Sequence, residues 1–97
     1  MIRHVAMFRW KDGVSADHAE HTAAALRALP AAIPQLVSYH VGPDLGINKG
    51  NFDFCVVAEV HSYEAFEAYR DHPQHQAVLQ EYITPHVEQR VAVQFSA

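Results

Sequence analysis

The run FDFCVVAEV, Phe52 to Val60, decides the fold. Phe54, Val56, Ala58 and Val60 fall on one parity, and Asp53, Cys55, Val57 and Glu59 on the other. This is the two-residue period of a β-strand, in residues that suit a pleated surface. A second run of the same kind stands at the N-terminus, where Ile2, His4, Ala6, Phe8 and Trp10 alternate with Arg3, Val5, Met7 and Arg9. Apolar members on both parities describe a central strand covered on both faces. Residues 36–41 alternate Leu36, Ser38 and His40 with Val37, Tyr39 and Val41. Residues 87–95 alternate through Val87, Gln89, Val91, Val93 and Phe95, which gives a third and a fourth strand.

Helical periods fill the gaps. Ser15 is placed to cap a helix that begins at Ala16, rich in alanine, with Ala19, Ala23, Leu26 and Leu29, joined by Ala25, as its apolar stripe. Pro30 and Pro34 end it near Leu29. Turn formers crowd residues 42–51. Ser62 is placed to cap a second helix carrying Tyr63, Phe66 and Tyr69, and His72-Pro73 breaks it. A further helical stretch over 74–83 is expected to turn Ala77, Val78, Leu79 and Tyr82 inward before Pro85 stops it. The order β-α-β-β-α-(α)-β is that of an α+β, ferredoxin-like sandwich, expected to be one domain over residues 1–97. Helices on one face of such a sheet leave the other bare. With apolar residues on both faces, the expected remedy is a homodimer.

Composition narrows the partners. Seven Lys and Arg stand against eleven Asp and Glu, with no basic run for nucleic acid or anionic lipid. No apolar run approaches a membrane span, and no secretory signal pattern is present, so a cytoplasmic location is expected. The single Cys55 excludes an internal disulfide. It lies on the opposite parity to Phe54 with no neighbouring base, and reads as packing rather than as a nucleophile. The 42–50 loop has no phosphate-binding glycine pattern.

The start Ile2–Lys11, the segment Gly50-Asn51-Phe52-Asp53-Phe54, and Ala68-Tyr69-Arg70-Asp71-His72-Pro73-Gln74-His75 resemble the stress-responsive dimeric A/B barrel (Dabb) family. The His-Pro-x-His element is the most specific part. The resemblance implies a ferredoxin-like protomer whose sheet packs face to face with a partner's as a dimeric α+β barrel. Many members have no known activity. A plant branch, olivetolic acid cyclase, closes a polyketide chain by an aldol reaction using a Tyr and the second His of this element. Carried onto this chain, those residues are Tyr69 and His75. A pocket His corresponds to His4, and the pocket face of the third strand to Phe54, Val56 and Ala58. The chain departs from the cyclase at Phe54, where the plant protein has histidine, so the plant substrate does not carry over.

These residues sort into candidate roles. His75 is the expected base and Tyr69 the group that polarises a carbonyl; His4, Phe8, Phe54, Val56, Ala58 and His72 are expected to line the ligand pocket. The chemistry requires an imidazole near neutral pKa and a phenol close together among apolar groups. The structural alternative makes His72 a helix cap, His75 a hydrogen-bonded packing residue and His4 a satisfied core histidine. His18 and His21, three apart on a helix, have the spacing of half a metal site but no matching further ligands; a solvated face is expected, with no structural zinc. No cofactor is expected. Trp10, Phe8 and Phe54 would suit a flat ligand only by fold analogy with haem-degrading monooxygenases. Three functions follow: a cofactor-free cyclase, lyase or isomerase acting on a carbonyl compound; a non-catalytic small-molecule binder; or a stress-associated structural protein. A barrel interior packed solid by Phe8, Trp10, Phe54 and Tyr69 would favour the last. An open cavity faced by His75 and Tyr69 would favour the others.

Overall fold

The computed structural model describes residues 1–97. Strand β1 (Ile2–Trp10) leads into helix α1 (Ala16–Arg27), then β2 (Ser38–Pro43), β3 (Phe54–Val60), α2 (Tyr63–Asp71), α3 (Pro73–Val78) and β4 (Val87–Ser96). The four strands form one antiparallel sheet in the order β2-β3-β1-β4, the ferredoxin-like topology.

Each element begins and ends where local chemistry requires. Ser15 accepts a hydrogen bond from the His18 N–H (3.2 Å), and Ser62 from the Ala65 N–H (3.1 Å), so both serines cap their helices. Helix α1 ends at Arg27, two residues before Leu29, because the chain tightens into a 3₁₀ turn over Leu29–Ala31, with Pro30 at its start. Strand β2 begins at Ser38 rather than Leu36, whose N–H bonds back to Ile33 in a turn (3.2 Å). Gly13, with φ of 88°, makes the turn after β1.

Parity then assigns two faces. His4, Ala6 and Phe8 pair with Ala58, Val56 and Phe54 across β1 and β3, and all six are buried beneath the helices. Ala19, Thr22, Ala23 and Leu26 of α1 close on this side. The opposite parity, with Val5, Met7 and Val57 continued by Val91 and Val93 of β4, carries no helix; Met7 is 39% exposed and Val93 54%. Phe8, Phe54 and Tyr69 are therefore core residues under the helices, and Trp10 stacks on Phe8 on that side. None of them belongs to the bare face that a second sheet would cover, so the packed barrel interior that would favour a structural protein is not formed by these four residues. One inward assignment fails: Ala77 faces solvent while its neighbour Val78 is half-buried.

Phe54 is 1% exposed and touches Phe8 and Trp10. Phe54→Ala is expected to cost about 3–5 kcal/mol of stability, the usual range for emptying an aromatic core site. Urea denaturation measures it; a loss below about 1 kcal/mol would place Phe54 against open space instead of packed core.

Candidate active site

The His72-Pro73 step builds the site. Proline keeps the residue before it out of helical conformation, and His72 sits at φ −59°, ψ 133°. Helix α2 therefore stops at Asp71 and α3 starts at Pro73. His72 Nδ1 accepts the Gln74 N–H (3.1 Å) as the cap of α3. The chain doubles back, and the His75 ring comes to rest 4.3 Å from the ring of Tyr69, centroid to centroid.

Hydrogen bonds fix the chemistry of each ring. His75 Nδ1 lies 2.9 Å from the Arg70 carbonyl oxygen. A carbonyl only accepts, so Nδ1 carries the proton and Nε2 of the neutral ring holds a bare lone pair. Nε2 has no partner within the protein and is not sealed from solvent. Burial holds the His75 pKa below the usual histidine value, against the opposing pull of the Arg70 carbonyl. His4 has the opposite tautomer. The Gln94 amide nitrogen donates to His4 Nδ1 (2.8 Å), which leaves the proton on His4 Nε2. Burial first, then the Arg90 guanidinium and His75, lower the His4 pKa to about 4. At neutral pH the site thus holds one imidazole able to accept and one able to donate.

Tyr69 is 3% exposed, and its hydroxyl lies 2.9 Å from that of Tyr39. Burial raises the Tyr69 pKa to about 12 and pushes Tyr39 up as well, so both phenols keep their protons. When Tyr39 donates to Tyr69, the Tyr69 proton is available to a third group.

These side chains converge on a cavity of about 200 Å³ between sheet and helices. Its polar wall is His4, Tyr39, Tyr69, Arg70, His75 and Arg90; Phe8, Leu26, Val56, Phe66, Leu79 and Ile83 make it apolar elsewhere. Leu79 and Ile83 reach it from the two ends of a π-helical turn, closed by the Thr84 N–H on the Leu79 carbonyl (2.7 Å). The volume suits a ligand of about one six-membered ring, since an apolar cavity of about 150 Å³ holds benzene. Two wider depressions are more open to solvent. One lies beside the 44–52 loop, and the other, between Lys11 and His86, has Val14 as its one hydrophobic residue.

Of the residues singled out by sequence, His4, Phe8, Val56, Tyr69 and His75 are brought together at this wall. Phe54 and Ala58 are packed away in the core, and His72 points into its cap rather than the cavity. His18 leaves the solvated face expected of it: its Nε2 donates to the Tyr82 carbonyl (2.8 Å), and its ring stands 4.0 Å from that of His86. Cys55 lies on the bare face, its thiol pKa raised by burial. Tyr39 and Arg90 were missed. Tyr39 shares the parity of Val41 and Arg90 that of Gln94, but nothing in either run says which parity meets the helices.

The stress-responsive A/B barrel domain matches residues 2–97. The chain belongs to the Dabb family. An uncharacterised protein of Streptomyces coelicolor is 33% identical over 79 residues, 79% of this chain and 81% of its own. A dimeric ferredoxin-like protein of unknown function from Thermobifida fusca is 51% identical, with a TM-score of 0.91 over 99% of this chain and 90% of its own. A hydroxynitrile lyase of Passiflora edulis, 21% identical, shares the fold with a TM-score of 0.81 over 97% of this chain and 90% of its own.

The two histidines set an acid limit on this fold. A histidine held below its unfolded pKa takes up fewer protons folded than unfolded, so its stabilisation is full above about pH 6.5 and falls as pH drops toward the folded value. His4, 5% exposed with a pKa of about 4, accounts for roughly 3 kcal/mol of loss across that window, and His75 adds loss of the same sign. Glu59, held low by Ser38 and Arg3, and Asp71, held low by Arg70, stay ionised over most of it. Urea unfolding at pH 7.5 and 4.5 is expected to show the loss, and His4→Asn to flatten the slope. An unchanged slope in that variant would assign the acid sensitivity elsewhere.

Proposed function

We propose that this Dabb protein is a homodimer in which each helix-side cavity binds a small carbonyl compound. The cavity promotes lyase, cyclase or isomerase chemistry, with His75 as base and Tyr69 as the group that polarises the carbonyl. The observation that carries the reading is a neutral, buried His75 whose ring lies 4.3 Å from that of Tyr69, itself bonded to Tyr39, at the wall of a cavity of ring size. His75 Nε2 takes the proton from carbon next to the carbonyl; the carbon–hydrogen electron pair forms the new carbon–carbon double bond, and the carbonyl π pair moves to oxygen as an enolate. Tyr69 donates a hydrogen bond to that oxygen, with its own hydroxyl steadied by Tyr39. The His4 Nε2–H is a second donor in the same space. Return of the proton, attack of the enolate carbon on a second carbonyl, or loss of a leaving group then separates isomerase, cyclase and lyase. That a hydroxynitrile lyase is built on this fold agrees with the class without fixing the substrate.

His75 is removable without breaking the local structure. The Arg70 carbonyl also accepts from the Gln76 side-chain amide (2.6 Å), so it keeps a partner when the imidazole is lost. Against a panel of carbonyl substrates, His75→Ala is expected to lower turnover by about two to four orders of magnitude while the protein melts near the wild type. Tyr69→Phe is expected to reduce turnover and leave binding of apolar ligands almost intact. A wild type that binds the panel and turns over nothing makes the cavity a binding site only. A His75→Ala protein that melts early makes the ring structural.

The dimer rests on the bare face, where Val5, Met7, Val57, Val91 and Val93 lie together, and on relatives described as dimeric. Size-exclusion chromatography with light scattering is expected to give twice the protomer mass of 10.9 kDa, and Val93→Glu to shift it toward the monomer. A wild type that stays monomeric at micromolar concentration rules the dimer out.

A further inference from the structure

Arg90 is the one arginine left without an internal partner. Arg3 bonds to Glu59, Arg9 to the Gly50 carbonyl, Arg27 to the Val41 carbonyl, and Arg70 grips Asp71 through two nitrogens. Arg90 makes no hydrogen bond, ion pair or ring contact, yet it lines the cavity. Strand register explains how it gets there. Arg90 pairs with Phe8 and Gln94 with His4, so both stand on the helix-side parity, and both are exposed, which puts Arg90 at the open rim of the cavity.

The other wall groups answer it only weakly. No carboxylate lines the cavity; Arg70, also at the wall, is already neutralised by Asp71 and Glu67. The remaining polar groups are two neutral imidazoles and two protonated phenols. Arg90 lines the same cavity as His4, His75 and Tyr69, and its charge acts on all three. The chain as a whole carries a net charge of −4, so a positive cavity edge is a local feature set against the overall balance. A planar guanidinium with free donors matches a carboxylate with two parallel hydrogen bonds.

We infer that the cavity takes a small oxo-carboxylate, its carboxylate held at the rim by Arg90 and its ketone turned inward between Tyr69 and His75. This rests on the reading of the cavity as a ligand site and names its substrate class. The apolar wall of Leu26, Phe66, Leu79 and Ile83 takes the carbon skeleton. Arg90 then anchors the substrate, and His75 reaches carbon beside the ketone.

Calorimetric titration of the full chain with 4-oxocyclohexanecarboxylate, levulinate and phenylpyruvate, each beside its methyl ester, tests the assignment. The acids are expected to bind at least about tenfold more tightly than the esters, the size of one charged hydrogen-bonding pair. Binding is expected to move the His75 Cε1–H resonance, identified by its loss in His75→Gln. Arg90→Gln is expected to erase the preference for acids, bringing the acid's affinity down to that of its ester, with melting unchanged; Arg90→Lys is expected to keep part of the preference. Esters binding as tightly as acids, or a preference that survives in Arg90→Gln, would overturn the carboxylate assignment and leave the cavity reading standing. If neither acids nor esters bind at millimolar concentration, the cavity reading falls and this assignment falls with it.

Discussion

A sheet whose two middle strands are apolar on both parities must be covered twice. Val56 and Val57 are consecutive residues on opposite faces of β3, and Ala6 and Met7 repeat the pattern on β1. Helices answer for one face and bury it over β1 and β3, while the helix-side residues of β4 stay exposed. The other answers to nothing within the protomer, and β4 extends it with Val91, Val93 and Phe95, all exposed. At roughly 25 cal/mol for each Å² of apolar surface removed from water, this face is costly to leave bare. The same demand shapes the cavity, because the helices must cover the inner face while polar side chains stand on it.

Those polar side chains show how a small core holds a reactive site. An imidazole under a helix is stable only if it is neutral and its nitrogens are satisfied or open to a cavity. His4 meets the condition through Gln94, and His75 through the Arg70 carbonyl. Each bond selects a tautomer, and the two selections are complementary. Fold stability and acid–base competence therefore come from one set of hydrogen bonds. Trp10 is the contrast: its buried indole N–H finds no acceptor, and its ring makes a T-shaped pair with that of His18.

Much of this was legible in the residues. Strand parities, both serine caps and the break at His72-Pro73 are local, and local chemistry decides them. The meeting of Tyr69 and His75 follows from the break, since proline forces one geometry on the residue before it. What could not be read was which parity faces inward on the edge strands. In β4 the apolar series Val91, Val93, Phe95 points away from the helices, and the polar series Arg90, Gln94 points toward them, the reverse of a single-protomer core. Register with β1 decides this, and register is a long-range property. Tyr39 and Arg90 were hidden for that reason. His72 was misplaced for a different one: a histidine before proline has a backbone N–H two residues on to cap, and that local bond took its ring out of the cavity. His18 was misplaced because its partners, Tyr82 and His86, lie more than sixty residues away in sequence.

The placement of Arg90 links recognition to basicity. A cation near an imidazole disfavours a second positive charge, so Arg90 helps keep His75 and His4 unprotonated in the free protein. An anion seated on Arg90 cancels that charge at the distance over which it acts, and one of the influences holding the His75 pKa down is removed. The base is then more willing to hold a proton while a substrate carboxylate is present than when the cavity is open to water. Burial remains the larger influence, so the ring stays neutral until it meets a proton to take. A carboxylate ligand would thus supply both the anchor that places carbon beside Nε2 and part of the electrostatic change that lets Nε2 act on it.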